Sequence, residues 1–445
     1  MSALARYFLS LKKAVAGYDR TETGLTKELA GEGMMVHYTD DVRMIPDKFK
    51  NSANTLVIYT PAVPSDHAEL TYFNDNGFQV KKRAEVLGII SRSMDVLGIA
   101  GTHGKTTTST MVSHLLKSSS LDCSAFLGGI SLNYNNNLLL SEKSKYVVVE
   151  ADEYDRSFLQ LNPIAAIITS MDADHLDIYG NYDEYTKAFG QFTSQIRPDG
   201  FLVVKKGIEL GKLQSDIKVF TYSLDQKADF YAKNIEIKDG VYHYDVVTPS
   251  GVYTGIELGF PGLLNVENSI AAIAMATVLN VSESAIHKAM QSFLGVKRRF
   301  EYHIKEQNLV FIDDYGHHPE ELRFTIESVK KMFPGKKVTG IFQPHLYSRT
   351  NDLASEFAQS LNLLDELILL DIYPAREKPI PGVTSEMVIQ KVGIKDKHLC
   401  TKSNLVQMVE NMPLPEVLVT MGAGDIDTFV EPIKQVLLKK LKKKL

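Results

Sequence analysis

At 445 residues the chain is too long for one ordinary core, so two or three domains are expected. Its 44% hydrophobic and 23% charged content describes a soluble globular protein, and a formal net charge of -5 supplies no general field for nucleic acid. Cys123 and Cys400 are the only cysteines, far apart and without ligand spacing, which argues against a disulfide framework or a zinc site and fits a reducing cytoplasm. No apolar run reaches the length of a membrane span, and no basic segment with a signal-like apolar core opens the chain. The expectation is a cytoplasmic protein without membrane or nucleic-acid partners; composition leaves the oligomeric state open.

The first residues, Met1-Ser2-Ala3-Leu4-Ala5-Arg6-Tyr7-Phe8-Leu9, read as helix. A strand over 13–18 ends at Asp19, where an acid meets a ribose in dinucleotide folds or simply makes a turn. A second strand over 55–59 stops at Thr60-Pro61, a third surrounds 78–80, and a helix over 82–91 leads onward. Such alternation implies a parallel sheet with crossover helices, an α/β fold.

The most informative stretch is Val96-Leu97-Gly98-Ile99-Ala100-Gly101-Thr102-His103-Gly104-Lys105-Thr106-Thr107-Thr108. An apolar strand runs into a glycine turn and then Lys-Thr, which reads as a phosphate loop of the shorter form G-x-x-G-K-T, Ile99 standing where the longer pattern has glycine; the plain alternative is a glycine-rich strand-to-helix turn with a surface lysine. Gly101 and Gly104 would let backbone N–H groups approach a polyphosphate; Thr102, His103 and Thr107 complete the cradle. Lys105 would neutralise the outer phosphates, and Thr106 would place a hydroxyl on Mg²⁺ at the start of a helix over 106–117.

Two further strands end in acids. The run over 145–149 is followed by Glu150-Ala151-Asp152-Glu153, and Glu150, directly at the strand end, is the expected metal ligand. The run over 164–168 precedes Asp172-Ala173-Asp174-His175-Leu176-Asp177, which could hold a second metal or cap a helix. A helix over 182–195 follows, then short strands over 201–259 that suggest a mixed-sheet extension. Asn265 and Asn268 open an apolar helix over 269–279; their carboxamides suit adenine, although many such pairs are caps. Residues 295–300, including Arg298 and Arg299, read as a linker.

In the last third, a strand over 309–312 leads to Asp313-Asp314-Tyr315-Gly316-His317-His318-Pro319, either a metal cluster or a capped helix start. The strand over 338–342 ends in Gln343-Pro344-His345-Leu346-Tyr347-Ser348-Arg349-Thr350, where His345 and Arg349 could bind a carboxylate. A final strand over 416–420 turns through Gly422-Ala423-Gly424-Asp425 into a helix whose lysine-rich end, 439–444, reads as a solvated terminus.

Five of these strings, beginning at Gly101, Glu150, Asp174, Asp313 and Phe342, together resemble the bacterial Mur ligases, amide-bond-forming ATP enzymes of peptidoglycan assembly. Their form is most similar to the alanine-adding branch, and the resemblance covers nearly the whole chain. It implies three domains: an N-terminal Rossmann-like UDP-sugar domain over 1–92, a central phosphate-loop ATPase with a mixed sheet over 93–296, and a C-terminal Rossmann-like amino-acid domain over 297–445. The implied reaction uses ATP and Mg²⁺ to phosphorylate the lactyl carboxylate of UDP-N-acetylmuramate, and the amine of L-alanine then attacks the acyl phosphate. A tripeptide-recycling ligase acting on the same sugar is the neighbouring alternative. A third reading is a nucleotide-binding protein whose ligase activity has been lost.

The resemblance also assigns roles. Lys105 with Mg²⁺ on Thr106 and Glu150 serves the ATP side, and His175 holds a second Mg²⁺. Asn265 and Asn268 meet adenine, Arg299 and Asp314 meet phosphate and ribose, and His345 and Arg349 bind alanine or the acyl phosphate. Three features depart from the family pattern. Leu264 stands where the family often has histidine; no lysine after Asp174-His175 is in register for carbamylation, Lys187 being displaced; and Met1-Ser2-Ala3-Leu4-Ala5 begins where a strand and glycine turn are expected before it. Met1 is therefore expected to be an internal methionine of a longer natural chain.

Overall fold

The computed structural model describes residues 1–64, 66–172, 176–211, 213, 217–238, 240–375 and 377–444. Its contacts divide it into two compact units, Met1–Lys233 with Asp245–Ile256 and Asn268–Phe293, and Asn234–Tyr244 with Glu257–Glu267 and Leu294–Leu445.

The strand Asp95–Ala100 is buried at all six positions, which explains its lack of polar alternation: it is covered on both faces. It lies between Tyr146–Glu150 and Pro163–Ile168 and runs parallel to both. Outward from Tyr146–Glu150 the sheet continues through Ser124–Ser131 and Asn136–Leu139. On the other side it continues through Phe201–Lys205 and Lys218–Ser223, then Phe230–Lys238, Val241–Thr248 and Gly251–Leu258, ten strands among the described residues. The helix Lys105–Lys117 leaves the central strand and buries every residue from Thr107 to Leu116. Three of its buried hydroxyls are satisfied within the helix: Ser109 and Thr110 donate to Thr106 O, at 3.1 and 2.7 Å, and Ser113 donates to Ser109 O at 2.8 Å.

Nearer the N-terminus, the helix Ser2–Ser10 is followed by Ala16–Tyr18, shorter than the strand expected over 13–18. The N–H groups of Lys12 and Lys13 are consumed by the helix end, bonding Leu9 O and Phe8 O. Ala16–Tyr18 pairs in parallel with Met35–His37, and Leu56–Tyr59 with Gln79–Lys82, as two separate two-stranded sheets. Asp19 is a turn residue here, accepting Thr21 N at 3.0 Å.

The helix expected over 269–279 begins earlier and spans Leu263–Val278. Gly262, at φ +106, ends the preceding loop, and Asn265 Nδ2 donates to Pro261 O at 2.5 Å across the first turn.

In the second unit, six strands lie in the order Glu301–Glu306, Leu309–Asp314, Val417–Met421, Val338–Phe342, Glu366–Leu370 and Asp396–Cys400. The first pair is antiparallel and the rest are parallel. The order reverses around Val417–Met421, so the loops after Leu309–Asp314, Val338–Phe342 and Val417–Met421 share one end of the sheet, the usual ligand-binding end of such folds. The Asp313–Pro319 string resolves as a capped helix start: Pro319 opens the helix Pro319–Met332 and Glu321 accepts the N–H groups of His317 and His318, at 2.9 and 3.2 Å. In the lysine-rich terminal helix Val430–Lys444, Lys440 binds the carbonyls of Val409 and Glu410, both at 3.0 Å, and that of Met412, capping the helix Lys402–Asn411. Both cysteines are buried and free. Among the described residues, no helix is long and apolar enough to cross a membrane.

Candidate active site

The phosphate loop is shaped by steric necessity. Gly101 has φ +133, and a Cβ there would lie 2.2 Å from Thr169 Oγ1 and 2.7 Å from Ser170 N. Gly104, at φ +81, brings the backbone against Asn268, whose Oδ1 would be 2.6 Å from an added Cβ. The loop is tied to the segment after Pro163–Ile168: His103 N donates to Ser170 Oγ at 2.7 Å, and Thr102 Oγ1 donates to Asp172 O at 2.8 Å beside the Tyr185 hydroxyl. Thr106 and Thr107 lie in the first turn of Lys105–Lys117, where free N–H groups and the helix dipole favour an anion.

Lys105 Nζ donates to Gly101 O at 2.7 Å, to Thr102 O at 3.4 Å and to Glu153 Oε1 at 2.8 Å. Burial works against its charge, but the carboxylates of Glu153, Asp152 and Glu150 outweigh it and hold the ammonium above its ordinary range. Burial pushes the Glu153 carboxyl up to about 7, with Asp152 adding to the rise and Lys105 opposing it. Glu153 has no role in the sequence reading, which takes only Glu150 of this string; the chain reversal through Asp155 and Arg156 after it is visible only in the fold.

Glu150 is the last residue of its strand, as expected, and Oε2 accepts Gly128 N at 3.1 Å. A Cβ at Gly128 would lie 2.2 to 2.5 Å from that carboxylate, so glycine is what admits it. The Thr106 hydroxyl and the Glu150 carboxylate are hard oxygen donors of the type Mg²⁺ takes. Among the described residues no group of three or more His, Cys, Asp or Glu forms a metal cage. His175 and Asp174 lie outside the described residues.

In the second unit, Asp314 is buried and accepts Phe300 N and Gly316 N, both at 2.8 Å, and Thr325 Oγ1 at 3.2 Å. These take three of roughly four acceptor positions on a carboxylate. Burial raises its affinity for a proton, opposed chiefly by the Arg299 guanidinium. Its neighbour Asp313, paired with Arg298 at 3.3 Å, is pushed by burial to about 6. Arg298 and Arg299 both lie over the Tyr315 ring, at 5.2 and 4.8 Å.

His345 stacks on Tyr373 at 5.7 Å and meets His317 edge-on at 5.8 Å. Burial holds His317 down to about 4, opposed by Glu321 and reinforced by the charges of Arg349 and Arg299. The expected Arg299, Asp314, His345 and Arg349 therefore belong to one neighbourhood with a neutral imidazole. Tyr373, Glu321 and Glu377, which accepts Ser348 N at 3.0 Å, were not foreseen. Tyr373 and Glu377 follow Glu366–Leu370, an apolar run whose end would have flagged them. Asn268 adjoins the phosphate loop, whereas Asn265 is engaged with Pro261 O.

A glycine turn between a buried central strand and a helix N-terminus, closed on a lysine, defines a phosphate-loop nucleotide-binding protein of the α/β class. Residues 1–94 match the family model described as "Mur ligase family, catalytic domain", 99–276 the "Mur ligase middle domain" and 298–424 the "Mur ligase, glutamate ligase domain". The chain is 54% identical over 444 residues to the UDP-N-acetylmuramate--L-alanine ligase of Parabacteroides distasonis, covering 100% of this chain and 96% of that one. It is 51% identical over 439 residues to the enzyme of the same name from Porphyromonas gingivalis W83, covering 98% and 96%. The crystal structure of the UDP-N-acetylmuramate-alanine ligase of Thermotoga maritima superimposes with a TM-score of 0.83 at 27% identity, covering 100% of this chain and 97% of that one. The chain belongs to the Mur ligase family.

Proposed function

We propose that this chain joins L-alanine to UDP-N-acetylmuramate at the expense of ATP in peptidoglycan synthesis, through an acyl phosphate, in the cytoplasm. The observation that carries this reading is the phosphate loop of Gly101–Thr107, built as a nucleotide cradle in a chain 54% identical along its length to a relative of that name. Its domains are assigned as residues 1–92 for the UDP-sugar, 93–296 for ATP and 297–445 for the amino acid, supported by the three family-model matches.

The chemistry must bring a carboxylate and a γ-phosphate together, two anions that repel, and stabilise charge as the phosphoryl group transfers. Lys105 and the N–H groups of the Gly101–Thr107 turn meet the phosphates, and His103 lines the turn. Thr106 and Glu150 hold Mg²⁺, with His175 at a second ion by the family resemblance; the metal supplies Lewis-acid charge neutralisation. By the family resemblance Asn268 and Asn265 are assigned to adenine, and Arg299 and Asp314 to phosphate and ribose. Arg349 pairs with the alanine carboxylate or the acyl phosphate, and His345, stacked on Tyr373, orients the same group.

Phosphate release measured with ATP, UDP-N-acetylmuramate and L-alanine, omitting each in turn, tests the reading. Release is expected only with all three. Faster turnover with a tripeptide than with alanine makes the chain a recycling ligase, and nucleotide binding without release under any combination refutes ligase activity.

A further inference from the structure

The proposed cradle binds nucleotide through Lys105, yet the three N–H donors of that ammonium are directed at Gly101 O, Thr102 O and Glu153 Oε1. We propose that Glu153 is a positioning residue that holds Lys105 retracted in the nucleotide-free loop, and that nucleotide binding exchanges this carboxylate for phosphate. The inference rests on the nucleotide-binding reading of the loop.

Glu153 cannot follow the lysine outward. Its side chain is 1% exposed, against 13% for Lys105. Its carbonyl accepts the Tyr179 hydroxyl at 2.6 Å and Arg156 N at 3.0 Å. The chain then reverses through Asp155 and Arg156, both left-handed at φ 53 and 56, a conformation costly for residues other than glycine and maintained by surrounding contacts. Those contacts are present: Lys82 Nζ bonds Asp155 Oδ2 at 2.6 Å, and the Arg156 guanidinium lies 5.0 Å over the Tyr179 ring. A fixed, buried carboxylate facing a flexible lysine means that the lysine moves. The arriving phosphate must supply at least the interaction that Glu153 gives up. When product leaves, the same carboxylate recaptures the ammonium, so Glu153 weakens nucleotide binding and speeds its loss.

The test is ADP binding and dissociation, followed with a fluorescent ADP analogue on the full chain, in wild type, Glu153→Gln and Glu153→Asp. Glu153→Gln keeps the shape and removes the charge; it is expected to bind about tenfold more tightly, mainly through slower dissociation, the size of one charge-assisted hydrogen bond. Glu153→Asp keeps the charge but withdraws it by one methylene, and is expected to shift affinity in the same direction by a smaller factor. It decides the matter if the amide variant does not fold. In a Lys105→Met background the effect of Glu153→Gln is expected to shrink below about twofold, because the carboxylate acts through the lysine. A merely structural role for Glu153 would weaken binding. Unchanged or weaker ADP binding in the folded variants, or an equal gain without Lys105, overturns the proposal. Wild-type protein that binds no ADP overturns the nucleotide reading instead.

Discussion

His114 sits in the last turn of the phosphate-loop helix and provides a pH-sensitive reporter of that helix. Ser292 Oγ donates to Lys288 O at 2.8 Å, which leaves its oxygen to accept Nε2–H of His114 at 3.0 Å; Nδ1 then accepts the Tyr134 hydroxyl at 2.9 Å. The neutral imidazole satisfies both partners. Burial is the main cause that lowers its pKa from the ordinary 6.5 to about 4, so the unfolded chain binds a proton more readily than the folded one. Stability is therefore complete above the unfolded value and is lost as pH falls from about 6.5 toward 4. The limiting loss is about 3 kcal/mol, and about 2 kcal/mol is already lost at about pH 5. His114→Gln removes the titration while keeping a polar side chain. In urea unfolding followed by circular dichroism, the variant is expected to be the less stable protein near pH 8. Its stability is expected to fall by about 2 kcal/mol less than that of wild type on going to about pH 5. Profiles that stay parallel across that interval would refute the assignment of a buried neutral imidazole.

Three further outcomes follow from the site. Gly101→Ala, which strains φ +133 and drives Cβ against the backbone of Ser170, is expected to cost at least about 2 kcal/mol and more than about tenfold in nucleotide affinity. Gly104→Ala meets only the movable Asn268 side chain and should be milder, so a thermal-shift and nucleotide titration that reversed the order would contradict the loop geometry. Glu150→Gln is expected to raise the Mg²⁺ concentration for half-maximal phosphate release about tenfold while leaving the thermal midpoint within a degree or so; an unchanged metal requirement would remove Glu150 from the metal site. Arg349→Lys is expected to raise the alanine KM by more than about tenfold with little change in the ATP KM, since a point charge replaces a bidentate fork. A matching rise in the ATP KM would place Arg349 on the nucleotide.

The elements legible in the sequence were those whose apolar runs end in a chemically distinctive turn. Val338–Phe342 and Leu56–Tyr59 lie within or next to the expected strands, because each is a β-branched or aromatic run closed by proline or glutamine-proline. The strands Met35–His37 and Asp396–Cys400 escaped because they are short or carry charges on the exposed edge of a sheet: Asp396–Cys400 reads Asp-Lys-His-Leu-Cys and buries only its last residue. Pairing with Glu366–Leu370, a long-range contact, is what makes it a strand. The helix Glu283–Ser292 was passed over although Ser282 caps it by accepting Ala285 N, because its apolar positions are alanine, isoleucine and methionine spread among polar residues.

The site divides along the same line. Residue types that chemistry demands at fixed spacing, such as Gly101, Gly104, Lys105 and Glu150, are visible in one dimension because backbone approach and strand ends are local properties. What tunes them is not local. Glu153 and Lys105 are separated by 48 residues, and Asp313 and Thr420 by 107, yet each pair shares a hydrogen bond, at 2.8 and 2.6 Å. Burial, which depends on the whole sheet, raises the carboxyls of Glu153 and Asp313 to about 7 and about 6, whereas an acid of the same type on a surface would ionise well below that. The string Glu150-Ala151-Asp152-Glu153 presents three carboxylates as equivalents. Folding separates them, because the strand ends at Glu150 and the chain reverses after Glu153, turning one acid toward Gly128 and the other onto the lysine of the phosphate loop.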